Sequence, residues 1–222
     1  MEKYLNKIDD ILELLVKDKV LMAEDRLKEL KKVITYDMAL KKCNNKYKRE
    51  QLKAAKALLK NSVEANEHRP LLYKMYKLDD TYQLGDGFIL VVLNSIIEGL
   101  ELNTAEGEYL DFRRYMKTSC GNDYRFDYNY EKVQLDVLEL EQQAIKARKF
   151  KNLKLPIEYA GNIENYYFNP MYLLRAIRIL GTEDVEIYLD KSGEHIETYL
   201  ESKLGQAVVV GIKRPENKVK GD

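Results

Sequence analysis

The chain has 222 residues, with 37 Lys/Arg against 37 Asp/Glu, 45% apolar residues and 33% charged ones. That length allows one large domain or two small ones with a full core, and the composition excludes a disordered chain. The longest uninterrupted apolar run, Phe88 to Leu93, is far too short to cross a membrane. The start of the chain has no signal-peptide core, so the expected location is cytoplasmic. Cys43 and Cys120 lie far apart and fit no metal spacing, so a reduced chain is expected.

A net charge of zero conceals segregation along the chain. Residues 37–63 hold eight Lys/Arg against two acids, and residues 144–154 hold five Lys/Arg and no acid. Residues 70–112 hold eight acids against two lysines, and residues 183–201 hold seven acids against one lysine. The basic segments have helical periodicity, whereas the acidic ones read as strands and loops.

In chain order, residues 2–34 read as helix, because Leu5, Ile8, Leu12 and Leu15 recur at three- and four-residue spacing and Leu27, Leu30 and Ile34 continue it. Breaks are expected near Lys17-Asp18 and near Thr35-Tyr36-Asp37. The segment reads as a coiled-coil-like packing or oligomerisation arm. Residues 46–63, KYKREQLKAAKALLKNSV, form an amphipathic helix with Leu52, Ala55, Leu59 and Val63 as its apolar stripe. Lys46, Arg49, Lys53, Lys56 and Lys60 form a second stripe about a third of a turn away. Two readings stay open for it, anion binding and a solvated lysine face.

Strands are expected over Leu72–Leu78, Thr81–Leu84 and Phe88–Leu93, with a turn at Asp79-Asp80 and a turn or bulge at Gly85-Asp86-Gly87. A polar loop leads to a helix over 130–149 with Val133, Val137, Leu140, Ala144 and Ala147 inward. Its end and the loop beyond carry Lys146, Arg148, Lys149, Lys151 and Lys154, cations that the helix dipole alone partly explains. Leu153–Tyr159 reads as an edge strand because of Pro156. A helix over 170–180, opened by Pro170, keeps Arg175 and Arg178 in its middle, and strands follow at 184–189, 194–199 and 206–212. The order gives an α+β fold with helices on one face of an antiparallel sheet. The expected organisation is a helical extension over 1–36, an α+β region over 37–214 with sub-units 37–118 and 119–214, and a flexible tail over 215–222.

Chemistry-bearing motifs are absent. His68 and His195 have no Cys or carboxylate at metal-ligand spacing, and no nucleophile elbow or phosphate loop occurs. Asp79-Asp80 and Glu183-Asp184 are explained by turns. No catalysis, metal or cofactor is expected.

Several stretches, in order, resemble the bacterial DNA polymerase III β subunit, the DNA sliding clamp family. FNPMYLLRAIRILGTEDVEIYL is similar to the Asn-Pro-x-Tyr-Leu-Leu helix and following strand of the clamp's last domain. RPLLYKMYKLDDTYQLGDGFILVVL resembles the clamp's Arg-Pro strand, turn and Asp-Gly-aromatic second strand. GEYLDFRRYMK resembles its Gly-x-Tyr-Pro-Asp-Tyr linker with Leu110 in place of proline, and QAVVVGIKRP stands where its final strand would be. The likeness spans roughly residues 38–214. The chain departs from the family in being much shorter than three domains, in Val210-Gly211-Ile212 where clamps usually carry Met-Pro, and in its N-terminal helices, so a ring of this chain is not implied.

The resemblance implies a DNA-clamp-like fold whose basic helices face duplex DNA, with phosphate contacts from Lys46, Arg49, Lys53, Lys56, Lys60, Lys146, Arg148, Lys149, Lys151, Arg175 and Arg178. Arg175 and Arg178 would lie outward while Leu173, Leu174 and Ile177 pack on the sheet; the competing reading pairs both arginines with neighbouring carboxylates. The expected partners are double-stranded DNA, proteins of replication or of a mobile element, and other copies of the chain. The alternative is a protein-interaction module on a clamp-derived fold that binds no DNA.

Overall fold

The N-terminal segment folds as a helical hairpin. The computed structural model describes residues 2–65, 70–103, 109–116, 155–157, 166–168, 170–181, 184–190 and 197–211, with single helical residues between 131 and 142. Helix α1 (Glu2–Val16) is joined through Lys17, Asp18 and Lys19 to helix α2 (Val20–Lys42). The break falls where the sequence places it. Asp18 takes a left-handed φ of 56°, and the N–H groups of Asp18 and Lys19 return to the carbonyls of Leu15 and Leu14 at 3.1 and 2.9 Å. That pair of bonds is a Schellman cap with aspartate in the usual glycine position. The second expected break is absent: α2 runs unbroken through Thr35, Tyr36 and Asp37. Nothing there forbids helix, and Tyr36, Ala39 and Leu40 pack on the main core while the Asp37 carboxylate accepts from Lys3 and Tyr4 of α1.

Helix α3 (Lys46–Ala65) starts at Asn45, whose side-chain oxygen accepts the Tyr47 N–H at 2.7 Å as an N-cap. Helix α4 (Pro170–Ile179) starts on its proline and stops at Gly181, whose φ of 80° and N–H bond to the Ile177 carbonyl close the last turn.

The main sheet has six strands in the order β1 (Tyr76–Leu78), β2 (Thr81–Gly85), β3 (Ile89–Leu93), β8 (Gly205–Val210), β7 (Glu197–Ser202), β6 (Glu186–Asp190), all antiparallel. The short strands β4 (Leu155–Ile157) and β5 (Tyr166–Phe168) pair separately. The order is a palindrome. Helix α3 followed by the β1–β2–β3 meander matches α4 followed by β6–β7–β8, and β3 pairs with β8 at the centre. Gly205 permits that join, because a Cβ there would lie 2.1 Å from the Val92 carbonyl oxygen.

Helices α3 and α4 lie together on one face of the sheet. Leu52, Ala55 and Leu58 of α3 and Leu173, Ala176 and Ile177 of α4 bury against Leu84, Ile89, Val91, Leu200 and Val209. Alternation along the strands sends Val92, Tyr199 and Val208 to the other face, where they meet Tyr76 and Phe112. A 3-10 helix, Phe112–Tyr115, closes that second layer. Gln83 fixes it: its Oε1 accepts the Phe112 N–H at 2.7 Å, and its Nε2 donates to Asp111 at 3.3 Å.

Two further expectations change. The first strand begins only at Tyr76, because Pro70–Tyr73 winds into a 3-10 turn. Strand β5 gave no signal beyond three aromatic residues. Of the helix expected over 130–149, Glu131, Gln134, Leu135, Leu138, Glu139 and Gln142 are helical; Val133, Val137, Leu140, Ala144 and Ala147 lie outside the described residues.

Candidate nucleic-acid interface

The pitch of α3 places Lys46, Arg49, Lys53 and Lys60 on the side opposite its buried row, and all four are exposed. Lys56 belongs to the same sequence stripe but turns to a different neighbour. Its ammonium stands 3.3 Å above the centre of the Tyr36 ring on α2. Burial by α2 pushes the Lys56 amine below its ordinary value, and the Asp37 carboxylate opposes that shift. Lys56 is thus part of the α2–α3 contact.

The seam between α3 and α4 gathers one carboxylate and two cations. Glu50 Oε1 accepts from Lys53 Nζ at 3.1 Å, while its Oε2 lies 3.9 Å from Arg178 Nε. The Arg178 Nε is buried without a hydrogen-bond partner, although the side chain as a whole keeps 30% of its surface. Beside this cluster, Gln51 Nε2 donates to the Ile179 carbonyl at 2.7 Å and ties the two helices.

Arg175 faces the β2–β3 turn. There Asp86 Oδ1 accepts the N–H groups of Phe88 and Ile89, both at 3.0 Å, so the Gly-Asp-Gly segment is an Asx turn and not a phosphate cradle. Burial raises the Asp86 carboxyl, against the pull of these hydrogen bonds and of the Arg175 charge. Burial likewise lowers Arg175, with Asp86 opposing. The two charges support one another in a partly desolvated site, closed by the Phe88 ring stacked on Tyr172 at 5.4 Å. Both arginines thus have carboxylate neighbours, while Leu173, Leu174 and Ile177 bury on the sheet. Lys146, Arg148, Lys149 and Lys151 lie outside the described residues.

The opposite face of the sheet is acidic. Glu186, Glu197 and Glu201 share strand parity with Tyr188 and Tyr199, and Glu186 stands directly across from Glu201. Asp111 and Asp79 lie at one side of this layer, bridged by Arg113, whose contacts to them are 2.8 and 2.7 Å. Hydrogen bonds from Arg113 hold the Asp111 carboxyl down at about 2. The exposed cation row of α3 and the glutamates of β6 and β7 therefore lie on opposite sides of the sheet.

The sequence missed Tyr36 as the partner of Lys56, because both the α2 continuation and its docking were needed to bring it there. Glu50 was visible as the lone acid within the lysine row, but its bond to α4 was not. A cleft of about 660 Å³ near the start of α3 has Lys48, Lys203, Glu98 and Asp184 on its walls, so it offers no single sign of charge. Among the described residues, no group of three His, Cys, Asp or Glu side chains could hold a metal ion, and no helix is long and apolar enough to cross a membrane. Searches of protein-family models, of curated proteins and of solved structures find no match to this chain.

Proposed function

We propose that the chain is a non-catalytic, clamp-like DNA-associated protein, accessory to replication or to a mobile element, which meets the phosphates of duplex DNA through its helical layer. The observation that carries this reading is the separation of charge between the helical layer and the far face of the sheet. Lys46, Arg49, Lys53 and Lys60 are the principal contacts, with Arg178 reachable at the seam. The Glu50–Lys53 pair is exposed on its lysine side and is worth about 0–1 kcal/mol, so a phosphate can displace it. Lys56 and Arg175 serve the fold instead. Contacts of this kind track the backbone and read no base sequence.

A second reading, a protein-interaction module without DNA binding, is favoured by a different observation: the helical hairpin leaves large apolar side chains in solvent. Fluorescence anisotropy of a labelled duplex across a salt series separates the two. DNA association predicts steep weakening with salt, and loss of about 1 from the log–log slope for each cation removed. The triple variant Lys46→Glu, Lys53→Glu, Lys60→Glu changes only exposed positions and should remain folded by circular dichroism. Absence of binding at low salt, or equal binding by the folded variant, would leave the interaction module as the function.

A further inference from the structure

The α1–α2 hairpin carries an apolar face left exposed among the described residues. Tyr4, Ile11 and Leu14 of α1 turn inward to Ala23, Leu30 and Ile34 of α2. Leu5, Ile8, Leu12 and Leu15 keep 54%, 40%, 52% and 47% of their surface, at the three-four-three spacing of a coiled-coil seam. On α2, Val20, Leu27 and Met38 are similarly exposed, and an apolar groove of about 390 Å³ runs between Leu27, Leu30 and Ile34. At 3.6 residues per turn, the α1 row lies about 90° from the residues that face α2. The α2 row lies about 55° from those that face α1, in the same rotational sense. The helices are antiparallel, so both rows emerge on one side of the hairpin.

The charges bordering this face identify its occupant. Helix α1 holds Glu2, Asp9, Asp10 and Glu13 against Lys3 and Lys7, a net charge of −2. Helix α2 holds Arg26, Lys28, Lys31, Lys32, Lys41 and Lys42 against Glu24, Asp25, Glu29 and Asp37, a net charge of +2. Asp9 lies along the outer margin of the α1 row, and Lys28 and Lys31 lie on the outer side of the α2 row. The Tyr4–Asp37 contact at one end and the Val16–Val20 connection at the other set the level of each residue. That registration puts Asp9 near the height of Lys31.

We propose that the apolar face of the hairpin is a self-association surface that takes the same face of a second copy of this chain. A two-fold axis running along the hairpin sets α1 of each copy against α2 of the other. It preserves height, so Asp9 meets Lys31 across the interface on both sides. The alternative two-fold, across the helices, would place α1 on α1 and acids on acids. The seam is a four-helix bundle with the leucine row of α1 entering the α2 groove of the partner. The surface lies apart from the exposed cations of α3, and the proposal does not depend on DNA binding.

The test is sedimentation velocity of the full chain without DNA, from about 1 to about 100 μM, a range in which two-fold pairing of moderate affinity is visible. The expected result is a concentration-dependent dimer. Ile8→Glu with Leu12→Glu, both at exposed positions, should weaken it at least tenfold while circular dichroism stays unchanged. Asp9→Lys and Lys31→Asp should each weaken it, and the double exchange Asp9→Lys, Lys31→Asp should restore it. A chain that stays monomeric throughout, a dimer indifferent to Ile8→Glu with Leu12→Glu, or a charge exchange that fails to restore pairing would each overturn the proposal. A monomer would hand the face to a different protein.

Discussion

The hairpin and the sheet body are built from similar amphipathic helices but reach opposite outcomes. In the body, α3 and α4 have a six-stranded sheet to cover, and Leu52, Leu58, Leu173 and Ile177 each keep 1% or less of their surface. In the hairpin, α1 and the part of α2 before Tyr36 bury their apolar residues only against each other among the described residues, and the buried set shrinks to Ile11, Ala23 and Leu30. Among the described residues, ten of the eighteen large apolar side chains left exposed lie between Leu5 and Met38. The same periodicity thus yields a core where a sheet faces it and an open surface where only one other helix does. A helix pair buries one stripe from each member, and any second apolar stripe must find a partner outside the pair.

The comparison can be broken by paired truncations. Leu58→Ala in the body should cost about 2–5 kcal/mol in urea unfolding, because the cavity cannot be refilled by solvent-facing groups. Leu12→Ala in the hairpin should change the stability of the dilute monomer by less than about 0.5 kcal/mol. Similar losses at both positions would mean that the Leu12 row is covered within the monomer. A smaller effect is expected at Gln83. Gln83→Leu keeps the bulk but leaves the Phe112 N–H unpaired, which should cost about 1–3 kcal/mol and loosen the 3-10 helix, as read by amide exchange at Phe112.

The smallest effect sharpens the far, acidic face. Asp111 has a folded value of about 2, below the ordinary carboxylate near ~3.9. A depressed carboxylate adds stability that is present above the ordinary value and lost as pH falls toward the folded one. Stability should therefore decline between about pH 4 and pH 2, and Asp111→Asn should flatten that part of the profile. An unchanged acid limb in the variant would show that the Arg113 contacts do not persist in solution.

Much of the body was legible because its signals are local. Leu52, Ala55 and Leu59 recur on one side of a helix and Pro170 opens another; each acts within a turn or two of its own position. The apolar runs around Val91 and Val208 are readable for the same reason, since a short apolar run next to turn residues needs no partner to be seen. The strand order was not legible. Joining β3 to β8 depends on Gly205 meeting the Val92 backbone from a distant part of the chain.

The candidate interface divides along the same line. Sequence alone determined that cations gather on helices and carboxylates on strands, because helical and strand periods sort residues onto faces before any packing occurs. Which neighbour each of those cations takes was decided only by the tertiary structure. Lys53 and Lys56 are three residues apart on one helix and both are exposed, yet one pairs with Glu50 of its own helix and the other sets its ammonium over the Tyr36 ring of a helix whose path the sequence read as broken. Arg175 and Arg178 are likewise neighbours on one stripe, and separate elements, the β2–β3 turn and α3, supply their carboxylates. A charge's sign and face are local properties, but its partner is set by whichever element packs beside it, and that depends on the whole fold.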